Sequence, residues 1–207
     1  LDESRINQTW KEYFEELKAF LGNNKLLWQY YAFVFLEYDL NDKILNFLVS
    51  NLGFFSSGSD IDKAILHEIY QKKKITIGTK IDNFCLGLSK SICLDKIKQT
   101  NIVFHFYADW CKPCITELPE LKKFIKNTQN DSLFMFIVRV DNKKDDSRYL
   151  KGFENMDNVR IVDDQIDEKS KISDFFLISD LPTNVWITNN LIIKGVKVGL
   201  NWLKNRL

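Results

Sequence analysis

The stretch Asn101-Ile-Val-Phe-His-Phe-Tyr107, Ala108-Asp-Trp-Cys-Lys-Pro-Cys114, Ile115-Thr-Glu-Leu-Pro-Glu-Leu-Lys-Lys-Phe-Ile-Lys126 decides the fold. Its opening apolar run suits a buried strand. The closing part repeats apolar residues at Leu118, Leu121, Phe124 and Ile125, one face of a helix. The two cysteines sit where the strand hands over to the helix. Two thiols separated by two residues in that place read as a redox dithiol. Residues three apart on a helix are neighbours, with Cα atoms about 5–5.5 Å apart, inside the window for a disulfide. Cys111 is expected to be exposed at the helix N-terminus, where unpaired N–H groups and the positive dipole end favour a thiolate. Cys114, one turn in, is expected to be more buried and to close the ring. Half a zinc site is the competing reading, but zinc needs about four ligands. The other candidates, Cys85, Cys93, His67 and His105, do not repeat the tight spacing, so no metal is expected.

The chain has 207 residues, 45% hydrophobic and 14% aromatic, enough for one large or two small cores. A net charge of +1 gives no sign of an electrostatic nucleic-acid binder. The most apolar stretch, Leu26 to Leu36, contains Gln29 and is too short to span a bilayer. The sequence does not begin with Met, so removal of an upstream secretory signal or lipid anchor is expected.

From Ser4 to about Gln71 the pattern is helical and aromatic-rich. Trp10, Tyr13, Phe14, Leu17, Phe20 and Leu21 form a first stripe, ended by Gly22-Asn23-Asn24. Further helices are expected over Lys25–Tyr38, from Asn41 or Asp42 through Val49, and from a cap at Asp60 with Ile61, Ile65 and Ile69 inward. This region shows no chemistry. Its aromatic stripe is core or a partner-binding surface. Lys72 to Lys74 read as a solvated helix end.

From Ile75 the pattern changes to strands. A hairpin is expected over Asn83–Leu94 with its turn near Leu88 to Lys90, then the strand and CxxC helix above, then a strand at Leu133–Val140. A helix capped by Asp145 and running to about Asn155, a strand at Val159–Val162 and a helix near Glu168–Phe176 follow. Thr183–Thr188 and Leu191–Val198 flank Asn189-Asn190 as a second hairpin, and a short helix starts at Asn201. That order describes a mixed α/β sandwich around a central sheet.

This order of elements, with Trp110-Cys-Lys-Pro-Cys114 at the strand-to-helix junction, resembles the thioredoxin fold. Ile77-Gly78, Asp82-Asn83-Phe84, Cys93-Leu94 and Phe106 through Pro119 are similar to its TlpA/ResA branch. Those are thiol-disulfide oxidoreductases of the bacterial envelope, related in layout to peroxiredoxins. The resemblance covers about 75–207 and leaves 1–74 as a helical N-terminal region. It implies an α/β thioredoxin-like three-layer sandwich behind an all-α region, and a thiol-disulfide oxidoreductase that reduces protein disulfides. Cys111 would be the nucleophile and Cys114 the resolving thiol of the redox disulfide Cys111–Cys114. Pro182 would be cis and face the dithiol, with the Leu181 backbone pairing with a substrate strand. Trp110, Lys112 and Pro113 would complete the substrate-binding surround.

Glu117 matches the pattern CxxCxxExP of that branch, and would join the catalytic set by tuning the thiols or relaying a proton. An exposed helix glutamate is the plain alternative. Lys112, a cation beside Cys111, favours its thiolate. Pro119 lies inside the helix and is expected to kink it. His105 stands where thioredoxins carry a buried acid. It reads as a satisfied core histidine, with a proton acceptor for Cys114 as the alternative. Cys85 and Cys93 lie symmetrically about Ser89. They read as two small buried residues with free thiols, although a cross-strand disulfide fits an oxidising compartment.

No dissociable cofactor is needed. The expected partners are protein thiols or disulfides and an upstream redox partner, for instance a membrane-bound electron donor, in a bacterial periplasm or envelope. Two other readings compete. A thiol peroxidase needs its cysteine in a Thr-x-x-Cys setting, whereas Thr116 follows the cysteines. A partner-binding module with a regulatory redox domain would be inactive towards insulin.

Overall fold

The computed structural model describes residues 3–38, 42–55, 58–86, 92–128, 132–141, 149–167 and 170–207. The chain divides into two compact units, Leu1–Lys74 and Ile75–Leu207.

The first unit is helical: α1 (Glu3–Leu21), α2 (Lys25–Tyr38), α3 (Asp42–Ser50), a short 3-10 turn (Leu52–Phe55) and α4 (Asp60–Lys74). Gly22, at φ +50°, ends α1, and its N–H bonds the Lys18 carbonyl at 3.0 Å. Leu17 and Leu21 are buried with Trp28, Phe47 and Phe55, whereas Tyr13 and Phe20, expected inward, are exposed. At 100° per residue Trp10, Phe14, Leu17 and Leu21 fall within an arc of about 60°, and the other two lie outside it. Ile61 is likewise exposed, while Ile65 and Ile69 are buried. The cap of α4 is Ser59, whose Oγ accepts the Asp62 N–H, rather than Asp60. The buried Asp62 carboxylate is held by Lys25 Nζ at 2.6 Å and Gln29 Nε2 at 2.8 Å, so the buried charge is paired.

The second unit begins with a two-stranded antiparallel pair, β1 (Cys85–Leu86) and β2 (Ile92–Cys93). The expected turn at 88–90 lies outside the described residues. A five-stranded sheet follows in the order β5-β4-β3-β6-β7, built from β3 (Asn101–Tyr107), β4 (Leu133–Arg139), β5 (Val159–Asp163), β6 (Thr183–Thr188) and β7 (Ile193–Val198). β3, β4 and β5 are parallel, and β6 runs antiparallel to both β3 and β7. Successive residues of β3 serve opposite faces. Val103 and Tyr107 join a core with α5 (Lys112–Asn127) and α7 (Leu200–Lys204), together with Leu150 and Phe153. Ile102, Phe104 and Phe106 join a core with the β1–β2 pair and α6 (Ile172–Phe175). The architecture is thioredoxin-like, with layers on both faces of the sheet.

Two helix expectations are corrected. Residues 149–155 form successive turns, not a helix. The N–H groups of Phe153, Met156 and Val159 each bond a carbonyl three residues back, and Gly152, at φ +86°, breaks any helical path. The proposed cap Asp145 lies outside the described residues. α6 is one turn long, ending before Leu177 at φ +51°.

The free-thiol reading of Cys85 and Cys93 is also corrected: they are disulfide-bonded and face each other in register. Among the described residues each strand has two, too few for a ladder to hold the hairpin alone. The disulfide closes it across a separation of eight residues. Replacing both cysteines by serine should lower unfolding free energy by roughly 2–3 kcal/mol from loop entropy. Denaturant titration that finds wild-type stability would show the hairpin to be self-supporting.

Candidate active site

The parallel strands β3 and β4 end at the same edge of the sheet. In open α/β sheets that edge carries the chemistry. β3 ends at Tyr107, and the Cys111 N–H bonds the Ala108 carbonyl at 3.1 Å to form a turn. Cys111 is the N-cap of α5. Its Sγ accepts the Cys114 N–H at 3.2 Å, and its carbonyl accepts the Ile115 N–H at 3.1 Å. Pro113 occupies the first turn, where its missing N–H costs nothing. The helix continues through Pro119 to Asn127.

Cys111 and Cys114 are joined by a disulfide, with Cα atoms 5.2 Å apart. The expected exposure of Cys111 is corrected: it is 4% exposed, against 0% for Cys114. Both sulfurs belong to the core that contains Tyr107, Leu118 and Leu121, and Leu181 packs on it. The exposed surface at the dithiol comes from its neighbours. Trp110 is 68% exposed, and Lys112 and Pro113 are also exposed.

Phe106 pairs with Thr183, so the chain just before β6 lies at the dithiol edge of the sheet. There the Leu181–Pro182 bond is cis, as the family resemblance implies. Leu181 and Pro182 are half-buried.

Glu117 is half-buried, with Oε1 buried and unbonded among the described residues. Burial raises its pKa, Glu120 raises it further, and Lys204 opposes the shift. Lys204 also pairs with Glu120, tying α7 to α5. One turn beyond Cys114, an ionised carboxylate at Glu117 would oppose a thiolate. Glu117→Gln should therefore move dithiol alkylation to lower pH while leaving the fold intact. An unchanged pH–rate profile would assign Glu117 to the helix surface alone.

His105 is fully buried in the β3 row between Ile137 and Asn184. Asn184 Nδ2 donates to the Val198 carbonyl, which turns Asn184 Oδ1 to His105 Nδ1 at 2.9 Å. Nδ1 then carries the proton, an assignment made from the hydrogen-bond network. Nε2 is left as a buried acceptor without a partner among the described residues, so only half of the imidazole is satisfied. Burial lowers its pKa from 6.5 to about 4, against the Asn184 hydrogen bond.

Three residues at this edge were missed: Asp141, Asp109 and Asn184. Asp141 closes the apolar run of β4 and is buried. Its Oδ2 accepts the Asp109 N–H at 2.6 Å. Tyr107 OH donates to Asp109 Oδ1. The available signal was an acid two residues after the end of the second parallel strand. Asn184, the histidine's partner, lies 79 residues from His105.

A thioredoxin-like fold with its CxxC disulfide at the first turn of the helix following β3 defines a thiol-disulfide oxidoreductase. The AhpC/TSA family pattern matches residues 77–194, more than half of the chain, and the chain belongs to that family. It is similar to the thioredoxin-like protein YneN of Bacillus subtilis (strain 168), 25% identical over 138 residues, which cover 65% of this chain and 79% of YneN. It is also similar to sporulation thiol-disulfide oxidoreductase A of the same organism, 25% identical over 104 residues, 49% of this chain and 61% of that protein. Among solved structures, a thioredoxin-like protein from Bacteroides caccae ATCC 43185 aligns with TM-score 0.62 at 16% identity, covering 95% of this chain and 76% of that one. The thioredoxin domain of a thiol-disulfide oxidoreductase from Bacteroides vulgatus aligns with TM-score 0.51 at 16% identity, covering 63% and 94%. The two structures agree in fold.

Proposed function

We propose that this chain reduces protein disulfides, with Cys111 as the attacking thiol and Cys114 as the resolving thiol. The observation that carries the reading is the Cys114 N–H donated to Cys111 Sγ at the N-terminus of α5. A sulfur so placed is stabilised as thiolate by the N–H and by the helix dipole. The Cys111 thiolate attacks one sulfur of a substrate disulfide. A Cys111–substrate bond forms, the substrate S–S bond breaks, and the electron pair leaves on the other substrate sulfur, which takes up a proton. The Cys114 thiolate then attacks Cys111 Sγ, re-forms the internal disulfide and releases the second substrate thiolate. Two electrons pass to the substrate, and an upstream dithiol donor returns them.

Trp110, Lys112, Pro113 and Leu181 frame the substrate, with Pro182 beside the dithiol and Glu117 tuning it. The chemistry belongs to a thioredoxin-like domain, 75–207, and the helical domain, 1–74, selects the partner. The compartment is the bacterial periplasm or envelope, with a membrane-bound donor upstream. Cys85–Cys93 supports this, being a disulfide outside any CxxC motif of the kind that persists where conditions are oxidising. Among the described residues no helix is long and apolar enough to cross a membrane. Cys114→Ala, which stalls the mixed disulfide, tests the reading. It should hold partner proteins through a reducible bond to Cys111. Partners held through any other cysteine, or none held at all, would overturn it.

A further inference from the structure

We propose that Asp141 is a positioning residue for the dithiol, acting through the Asp109 amide to hold the turn that delivers Cys111. This rests on the reading of Cys111 as the attacking thiol. The turn between β3 and α5 spans Ala108 to Trp110, and a set of hydrogen bonds holds it. The Val140 N–H bonds the Tyr107 carbonyl at 2.9 Å, keeping the ends of β3 and β4 together. Asp141 Oδ2 then accepts the Asp109 N–H at 2.6 Å. Tyr107 OH donates to the Asp109 carboxylate, and the Cys111 N–H closes on the Ala108 carbonyl at 3.1 Å. Of these, the Asp141 bond is the one that ties the middle of the turn to the segment following β4.

Asp141 is buried at 9% exposure and directly follows Val140, whose N–H bonds the Tyr107 carbonyl just beyond the last ladder pair, Tyr107 with Arg139. Its carboxylate is thereby held beside the end of β3, and Asp109 is two residues from the nucleophile. Attack on a disulfide is directional, and misplacing a reacting atom by about 1 Å costs up to a hundredfold in rate. An acceptor for the backbone two residues upstream controls that placement without touching the sulfurs. What matters is an oxygen at the Oδ2 position, not the negative charge on it. A carboxylate beside the turn would, as a charge alone, oppose the Cys111 thiolate.

Three variants separate these roles: Asp141→Asn keeps an oxygen at that position and removes the charge, Asp141→Glu keeps the charge and moves the oxygen by one methylene, and Asp141→Ala removes both. The readouts are the rate of exchange between each reduced protein and glutathione disulfide, and the rate of Cys111 alkylation. Positioning predicts Asn within about twofold of wild type in exchange, with Glu and Ala about tenfold slower. Normal exchange in Glu with slow exchange in Asn would make Asp141 an electrostatic residue and overturn the proposal. Equal exchange in Asn, Glu and wild type would overturn it as well, and so would an Ala variant that melts earlier but exchanges normally. If Ala does not fold, the comparison of Asn with Glu decides. Alkylation separates this proposal from the reading on which it rests. If Cys114 is the thiol labelled first, the assignment of the nucleophile fails, and with it the role given to Asp141. If Cys111 is labelled first and the variants do not differ, only the role of Asp141 fails.

Discussion

Cys111→Ser should abolish insulin reduction, by a factor on the order of a thousand or more, as loss of a covalent nucleophile does. Cys114→Ala should instead leave the first step intact and accumulate a mixed disulfide at Cys111. The asymmetry follows from α5: Cys111 is its N-cap and accepts an N–H, whereas Cys114 lies inside the first turn with no exposed surface. In the reduced wild type, iodoacetamide should therefore label Cys111 first, with an apparent pKa below the free-thiol value of about 8.5. The 4% exposure of Cys111 adds a steric expectation. An extended, accessible substrate disulfide should react much faster than one flanked by folded bulk. First labelling of Cys114, or insulin reduction that survives Cys111→Ser, would reverse the assignment.

The second large effect is on stability in acid. His105 is neutral when folded because burial holds its pKa at about 4, against 6.5 for a solvated imidazole. Between those values the unfolded chain binds a proton that the folded protein refuses. Stability is thus fully present above about pH 6.5 and falls as pH drops towards 4, by about 1.4 kcal/mol per unit and about 3 kcal/mol in all. Below about pH 4 both states carry the proton and the decline from this source stops. His105→Gln keeps a donor for Asn184 and cannot titrate. Urea unfolding at about pH 7, 5.5 and 4.5 should show a shallower acid decline in the variant, the carboxylates being common to both proteins. Parallel declines would mean that the imidazole is protonated within the fold.

Periodicity alone made much of the second unit legible. The run from Asn101 to Lys126 carries a strand, a dithiol and a helix face in residues that are near each other in the chain, and short-range sterics and hydrogen bonds suffice to place them. The cap at Cys111 belongs to the same class of signal, as does Gly22 ending α1. Asn189-Asn190 between two apolar runs likewise sits between β6 and β7.

What the chain could not state locally was decided by packing between distant segments. Cys111 reads as exposed from its place at a helix end, yet Leu181, distant in the chain, packs on the core that contains it. The symmetry of Cys85 and Cys93 about Ser89 suggested their register, but only the folded hairpin joins them as a disulfide. Leu150 and Phe153 carry a helix-like apolar spacing but are buried from successive turns, because Gly152 takes a backbone path closed to a helix. Asp141 and Asn184 look like ordinary polar residues in sequence. Each acquires its role only when β4 and β6 are laid beside β3, bringing an acceptor to the Asp109 amide and an amide to His105. Local periodicity chooses the elements. The order in which the strands pair chooses which distant side chains share the space around the dithiol.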